Sequence, residues 1–166
     1  MLIASIVLSR PMTGFAAPDP PPPKTVELKG AEIPEHWVWR TLFNHLAMAN
    51  PKNLQRILTS LALPDDELEV VMREAEQQPA RDAACQGQMA KRTNPLAAAG
   101  AKHTAIAAAR DEVMIGCRQH TLEARDRVLG GLPERSQKIL HVWVNDKRKR
   151  MTVAVVETEM ATFRKP

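Results

Sequence analysis

The sequence predicts an all-α protein, an antiparallel bundle of about five helices behind a disordered N-terminal leader and a proline-rich spacer. Three observations predict this class. Apolar residues recur at helical spacing between residues 34 and 150, prolines stand where helices begin, and the joins between periodic segments are short. With 166 residues, of which 44% are hydrophobic, the chain can form one domain with a buried core.

The N-terminal segment is typical of a secretory signal peptide. Residues 2–9 form an apolar run that is too short to span a bilayer but long enough for a signal-peptide core. Small residues at Gly14 and Ala16 place cleavage after Ala16, with Ala17 as the alternative. We therefore predict a signal peptide over residues 1–16 and a periplasmic or secreted protein. Because no Lys or Arg precedes the run, a start internal to a longer signal, or an ordinary disordered terminus, stays open.

Residues 17–32 are predicted to be a disordered, proline-rich spacer. The segment from Pro18 to Lys24 holds five of the 13 prolines, which favours an extended polyproline II conformation. A docking site for a proline-binding partner is the alternative. The helical domain is predicted to span residues 33–150.

The first two helices are predicted from proline starts and apolar faces. Pro34 opens a helix that places four large residues on one face: Trp39, Leu42, Phe43 and Leu46. Asn50-Pro51 supplies a cap and a first-turn proline for the second helix.

The third helix begins at Leu63-Pro64 and has carboxylates in its first turn, Asp65, Asp66 and Glu67, where they favour the positive end of the helix dipole. We expect Pro79 to kink or break it, because proline lacks an N–H and its ring excludes the preceding turn. The helical stretch then resumes and is expected to end before Asn94-Pro95.

Two further helices complete the predicted bundle. An alanine-rich stretch from residue 96 leads into the longest helix, of about 25 residues, which Gly130-Gly131 ends. Pro133 opens the last helix, and the basic run Lys147, Arg148, Lys149 and Arg150 closes it. Residues 151–166 are predicted to be an extended or disordered tail, because the β-branched run at their start has no visible strand partner.

Two of the helix starts share a form: Leu63-Pro64-Asp65-Asp66-Glu67 and Leu132-Pro133-Glu134-Arg135-Ser136-Gln137. Behind a secretory leader in a helical chain, this form resembles a divergent member of the CpxP/Spy-type periplasmic family, which carries a repeated Leu-Thr-x-x-Gln motif. Here proline replaces threonine at both sites, and Glu67 or an offset Gln137 replaces glutamine. The resemblance spans roughly residues 34–150, and it implies a small envelope protein that binds misfolded clients or senses metal and is not an enzyme.

The two cysteines, Cys85 and Cys117, suggest a disulfide in an exported protein. A helical hairpin with its turn between residues 92 and 102 places them about 12 Å out of register, at ~1.5 Å per residue. A disulfide requires Cα atoms within ~4.4 to 6.8 Å. Two interpretations of the cysteines therefore remain: a disulfide, or two small buried hydrophobic side chains.

Met114, Cys117 and His120 recur every three residues on one helix, so their soft ligand atoms point roughly the same way, as a Cu(I) site requires. Met89 or His103 could complete such a site, and core packing is the alternative. The other histidines, His36, His45 and His141, show no metal-ligand spacing and are expected at the surface or its boundary.

No motif indicates catalysis or a cofactor. The sequence contains no P-loop, dinucleotide loop, nucleophile elbow or His-Glu-x-x-His motif. Asp65, Asp66 and Glu67 are explained by a solvated helix start. We therefore expect no catalytic residues and no cofactor.

The candidate contact surface combines aromatic and basic residues. Trp37 and Trp39 cannot share one helix face, so if Trp39 belongs to the core, Trp37 is expected to be at least partly exposed. We predict Trp37, Trp39 and Phe43 as partner-binding residues, with Lys147, Arg148, Lys149 and Arg150 as an electrostatic rim.

The expected function is binding, as an envelope stress or chaperone-like interaction protein, with a metal-responsive copper or zinc protein as the alternative. The expected partner is a protein client or envelope protein, and a homo-oligomer is a further option. The formal charge of +4 is too small and too dispersed for a dedicated nucleic-acid binder, and no transmembrane segment is expected.

Overall fold

The computed structural model describes residues 24–156, which form six α-helices and one two-stranded antiparallel sheet. The elements in chain order are strand β1 (Thr25–Lys29), a 3-10 turn (Gly30–Glu32), and then α1 (Glu35–Met48), α2 (Pro51–Leu61), α3 (Asp65–Glu76), α4 (Gln78–Ala98), α5 (His103–Gly130), α6 (Glu134–Arg150) and strand β2 (Thr152–Val156). The predicted all-α class is confirmed.

Helix α1 is the centre of the bundle and contacts every other helix. Trp39 and Phe43 on this helix are fully buried, with ring centroids 5.7 Å apart. Their neighbours in the core come from most other elements: Leu28, Leu61, Val71, Ala75, Val128, Leu140 and Val155. The large apolar residues that the sequence placed on one face of the first helix therefore form the core.

Prolines mark the helix starts, as predicted. Asn50 accepts a hydrogen bond from the Asn53 backbone N–H at 2.9 Å, with Pro51 in the first turn of α2. Pro34, Pro64 and Pro133 each lie one residue earlier than expected, at the N-cap, because their extended ψ angles exclude them from the first turn. The chain also breaks near Pro79, which lies in the first turn of α4.

The predicted helix end before Asn94-Pro95 is wrong, because α4 continues through Pro95 to Ala98. Gly100, with φ of +68°, provides the real stop. The Gly100 N–H bonds to the Ala97 carbonyl at 3.0 Å and the Ala101 N–H bonds to the Leu96 carbonyl at 2.9 Å, which is a Schellman ending. Pro95 lies on an exposed face of the helix, where water can satisfy the Lys91 carbonyl oxygen that loses its N–H partner.

The expected spacer and tail differ from the structure where they meet the domain. Residues 25–29 of the spacer and residues 152–156 of the tail pair as β1 and β2, with Thr25 opposite Val156 and Lys29 opposite Thr152. Leu28 and Val155 are buried against the helices. The strand partner that the sequence did not indicate lies at the other end of the described residues. The predicted signal peptide, the polyproline run and residues 157–166 lie outside the described residues.

Between residues 24 and 156, no helix combines the length and the hydrophobicity that a membrane span needs.

Candidate functional site

Helices α4 and α5 form a hairpin that a disulfide closes. Cys85 and Cys117 are bonded, with their Cα atoms 5.8 Å apart. None of residues 86–116, all of which the structure describes, is buried. We call residues 86–116 the arm, because they form an ordered helical hairpin outside the core.

The disulfide forms because of where α4 ends. With α4 continuing to Ala98 and α5 beginning at His103, Cys85 and Cys117 lie almost the same number of residues from the turn. They therefore face each other across the hairpin. The 12 Å offset predicted from sequence came from ending the helix too early.

A cleft of about 260 Å³ lies at the root of the arm, between α1, α4 and α5. The disulfide forms part of its wall. We call it the disulfide cleft. Its apolar and soft side chains are Trp37, Met89 and Met114, and its polar ones include His36, Arg40, Asp82 and Arg118.

Asp82 ties α4 to α1 at one side of this cleft. Its carboxylate accepts hydrogen bonds from Arg40 at 3.0 Å, from Asn44 at 3.1 Å and from Gln78 at 2.9 Å. Burial alone would raise the pKa of Asp82, but these hydrogen bonds and the charge of Arg40 outweigh it and lower the pKa below its usual value. The ionised carboxylate therefore holds Arg40 and Gln78 in place along the cleft wall.

Glu74 joins α3, α4 and α5 beneath the root of the arm. Arg127 donates two hydrogen bonds to its carboxylate, at 2.8 and 3.0 Å, and Arg81 donates a third. Arg81 also donates to the Glu74 carbonyl oxygen at 2.9 Å. The hydrogen bonds from Arg127 are the main cause of the lowered pKa of Glu74, followed by the charges of both arginines against the opposing effect of burial.

His36 is only 5% exposed, so its expected surface position is wrong. Burial, together with the charges of Arg118 and Arg40, lowers its pKa to about 4. The imidazole is therefore neutral at pH 7. Arg118 is also buried, and burial lowers its pKa while the charge of Asp111 raises it.

These groups are suited to holding a shape rather than to proton transfer. A general acid at neutral pH needs a raised pKa, whereas the pKa values of Glu74 and Asp82 are lowered and both carboxylates are bound to guanidinium groups. The arrangement provides a braced cleft with an aromatic and two thioether side chains on its walls.

The structure separates the predicted contact surface. Trp37 is half-buried and lines the disulfide cleft, as a contact residue would. Trp39 and Phe43 are fully buried, so their prediction as partner-binding residues is wrong. Helical geometry explains this outcome, because residues 39 and 43 share the face of α1 that forms the core.

The basic run at the end of α6 lies away from Trp37, on the other side of α1. Arg148 donates to the Ala31 carbonyl oxygen at 2.8 Å, and Lys149 pairs with Asp146 at 3.2 Å. Lys147 lies over the Trp143 ring, with its Nζ 4.8 Å from the centroid, and lines a second groove together with Arg150. Arg148, Lys149 and Lys147 therefore have structural partners, and Lys147 and Arg150 border the groove.

We call this second site the basic groove. It has a volume of about 310 Å³ and lies between α1, α2 and α6. Its floor is apolar, formed by Val38, Leu42, Ile57, Trp143 and Met151. Its rim carries His45, Lys147 and Arg150.

The predicted metal ligands come to one place in the structure. Met114, Cys117 and His120 all line the disulfide cleft, and Met89 lies there as well. The Cys117 sulfur is bonded to Cys85, so it is not a thiolate ligand. Within residues 24–156, no three His, Cys, Asp or Glu side chains come together as a metal site.

Sequence reasoning missed His36 and Arg118 in the disulfide cleft and Trp143 in the basic groove. The spacing of four between Trp143 and Lys147 is a signal for a cation over a ring on one helix face. The buried positions of His36 and Arg118 depend on how α1 packs on α5, and nothing local in the sequence indicates that packing.

Comparison with protein-family models, with curated proteins and with solved structures found no match to this chain.

Proposed function

We propose that the protein is an exported, non-enzymatic binding protein that engages another protein through the disulfide cleft and the arm. The role is that of an envelope stress or chaperone-like interaction protein. One observation carries the proposal. The arm is an ordered hairpin of which no residue is buried, and a cleft that is lined by Trp37, Met89 and Met114 among polar side chains lies at its root.

The side chains of the cleft suit a protein partner of variable sequence. Met89 and Met114 are flexible and polarizable, so they adapt to apolar groups of different shapes. Trp37 offers a large aromatic surface, and Arg40 stacks over its ring at 5.6 Å. The hydrogen bonds to Asp82 fix the cleft wall beside them, which lowers the entropy cost of binding.

The disulfide supports export, because such bonds persist in oxidising compartments such as the periplasm or the extracellular space. The signal peptide over residues 1–16 and the likeness to the CpxP/Spy-type family remain predictions of the sequence. The proposed partner is a misfolded client or an envelope protein, and self-association through the arm is the alternative.

The test is suppression of aggregation of a chemically unfolded protein by the oxidised chain. We expect Trp37→Ala and Met89→Ala each to weaken client binding by about tenfold, the factor that corresponds to ~1.4 kcal/mol. The matched control is Met48→Ala, because Met48 is 77% exposed and lies outside the disulfide cleft. Equal protection by all three variants would contradict the proposal.

A metal-responsive role is the second candidate, because two thioethers and the His120 imidazole line the same cleft as the disulfide. Reduction of the disulfide would supply two thiols beside Met89, Met114 and His120, which is a ligand set that suits Cu(I). Native mass spectrometry of the reduced chain with Cu(I) tests it. One bound ion that Met114→Leu weakens supports the role, and the absence of stoichiometric metal rejects it.

A further inference from the structure

The basic groove differs from the disulfide cleft in position and in chemistry. It lies on the opposite side of α1, and its rim carries His45, Lys147 and Arg150. A shallower cleft, which shares His45 and Ile57 with it, extends it toward Met48 and Arg56. Among the described residues that line the basic groove and this shallower cleft, none is acidic.

The floor of the groove favours an apolar chain over a peptide. The Thr41 hydroxyl, which lies in the groove, already donates to the Trp37 carbonyl oxygen at 2.8 Å. A peptide backbone lying on the apolar floor would bury N–H groups without acceptors, which is costly. A hydrocarbon chain has no such groups and fits a floor of aliphatic, aromatic and thioether side chains.

The rim favours an anionic head group. Lys147 and Arg150 are both exposed and border the same groove, so one carboxylate could contact both. Lys147 is held near the groove by its contact with the Trp143 ring. A bilayer surface is less suitable, because the apolar side chains line a concavity instead of projecting from the protein.

We propose that the basic groove binds a single-chain anionic amphiphile of the fatty-acid class, with its hydrocarbon chain on the floor and its carboxylate at Lys147 and Arg150. Binding at this groove is independent of client binding at the disulfide cleft.

The test is calorimetric titration of the full chain with octanoate, decanoate and dodecanoate, each below its micelle concentration. We expect one molecule per chain and an affinity that rises by up to roughly fourfold per added methylene, the factor that corresponds to ~0.8 kcal/mol per buried CH₂. Dodecanol, which lacks the charge, is expected to bind at least about tenfold more weakly. Equal binding of dodecanol, or no dependence on chain length, would overturn the proposal.

A charge variant tests the rim. Lys147→Gln with Arg150→Gln is expected to weaken dodecanoate binding at least about tenfold and to leave dodecanol binding unchanged. The matched control, Lys91→Gln with Lys138→Gln, removes the same charge elsewhere on the surface and is expected to bind as the wild type does. Should the rim variant fail to fold, the comparisons on the wild-type chain still decide the outcome.

Two further measurements distinguish a fatty acid from other possible occupants of the basic groove. Binding of anionic phospholipid vesicles without binding of monomeric dodecanoate would identify a membrane contact and overturn the proposal. Tighter binding of an acidic peptide than of dodecanoate would also overturn it. Trp37→Ala is expected to leave dodecanoate binding unchanged, so failure of the proposed client site and failure of this site are distinguishable.

Discussion

His36 links the stability of the protein to pH. Its pKa is about 4 in the folded chain, against the ordinary value of 6.5, because it is buried close to the charges of Arg118 and Arg40. As the pH falls below 6.5, the unfolded chain takes up a proton that the folded chain does not, so stability decreases until the pH reaches about 4.

We expect wild-type protein to lose roughly 2 to 3 kcal/mol of unfolding free energy through His36 between pH 6.5 and 4.5. His36→Gln should remove this loss, as measured by urea unfolding across that range. The lowered pKa values of Glu74 and Asp82 act mainly near and below their ordinary values of 4.5 and 3.8, and both proteins carry these carboxylates, so their effect cancels in the comparison. His141→Gln, at an exposed position, is the control, and a wild-type curve parallel to that of His36→Gln would contradict the account.

Glu74 joins three helices through one carboxylate, so its removal is expected to be costly. Glu74→Gln would leave Arg81 and Arg127 without their shared acceptor charge. We expect a loss of about 2 kcal/mol, below the usual cost of breaking a buried pair because Arg127 is half exposed. Chemical denaturation measures it. Glu69→Gln, exposed on the same helix, is expected to change stability by less than about 0.5 kcal/mol, and similar losses in both variants would refute the role of Glu74.

At the scale of single elements, two glycines in the hairpin predict opposite effects of the same substitution. Gly100 has φ of +68° in the turn, so Gly100→Ala is expected to destabilise the protein by about 1 kcal/mol. Gly87 lies inside α4 with open space where a Cβ would be, so Gly87→Ala is expected to stabilise it by about 0.5 to 1 kcal/mol. Thermal unfolding of both variants measures the difference. The same sign for both would contradict the turn at Gly100.

The disulfide is expected to hold the arm in place, because the arm has no buried residue of its own. For a separation of 32 residues, loss of the bridge costs about 3 to 4 kcal/mol in the loop-entropy treatment. We expect Cys85→Ser with Cys117→Ser to lose stability of this order, and hydrogen exchange to accelerate first in residues 86–116. Uniform acceleration across α1 and the arm would show that the arm is not a separate unit.

The helix boundaries show which features of an element the sequence can predict. Asn50-Pro51 correctly predicted the start of α2, and Pro79 correctly predicted the break before α4. Both signals are local, since a cap or a missing N–H acts within one turn. Asn94-Pro95 predicted the wrong helix end, because α4 continues through Pro95 and stops only before Gly100, whose φ is positive. The position of the end of α4 determines whether Cys85 and Cys117 face each other across the hairpin. The error in this one helix boundary therefore produced the error in the predicted distance between the cysteines.

For the whole molecule, features that depend on distant pairing were not predictable. The buried face of Trp39 and Phe43 followed from spacing, but their role as core residues excluded them from the contact surface that we also predicted. The pairing of β1 with β2 joins the two ends of the described chain, and no periodicity within either segment indicates it. The disulfide cleft forms where three helices, α1, α4 and α5, pack together. The sequence indicated some of its residues but not this packing.

The proposed binding site for a protein client consists of the arm and the disulfide cleft. The most direct measurement is hydrogen exchange of the oxidised, full-length chain with and without a saturating, chemically unfolded test protein. We expect added protection in the arm and at the cleft residues of α1, α4 and α5, with α6 and the β-ribbon unchanged. Protection that is confined to α6 and the basic groove, or absent from the arm, would contradict it.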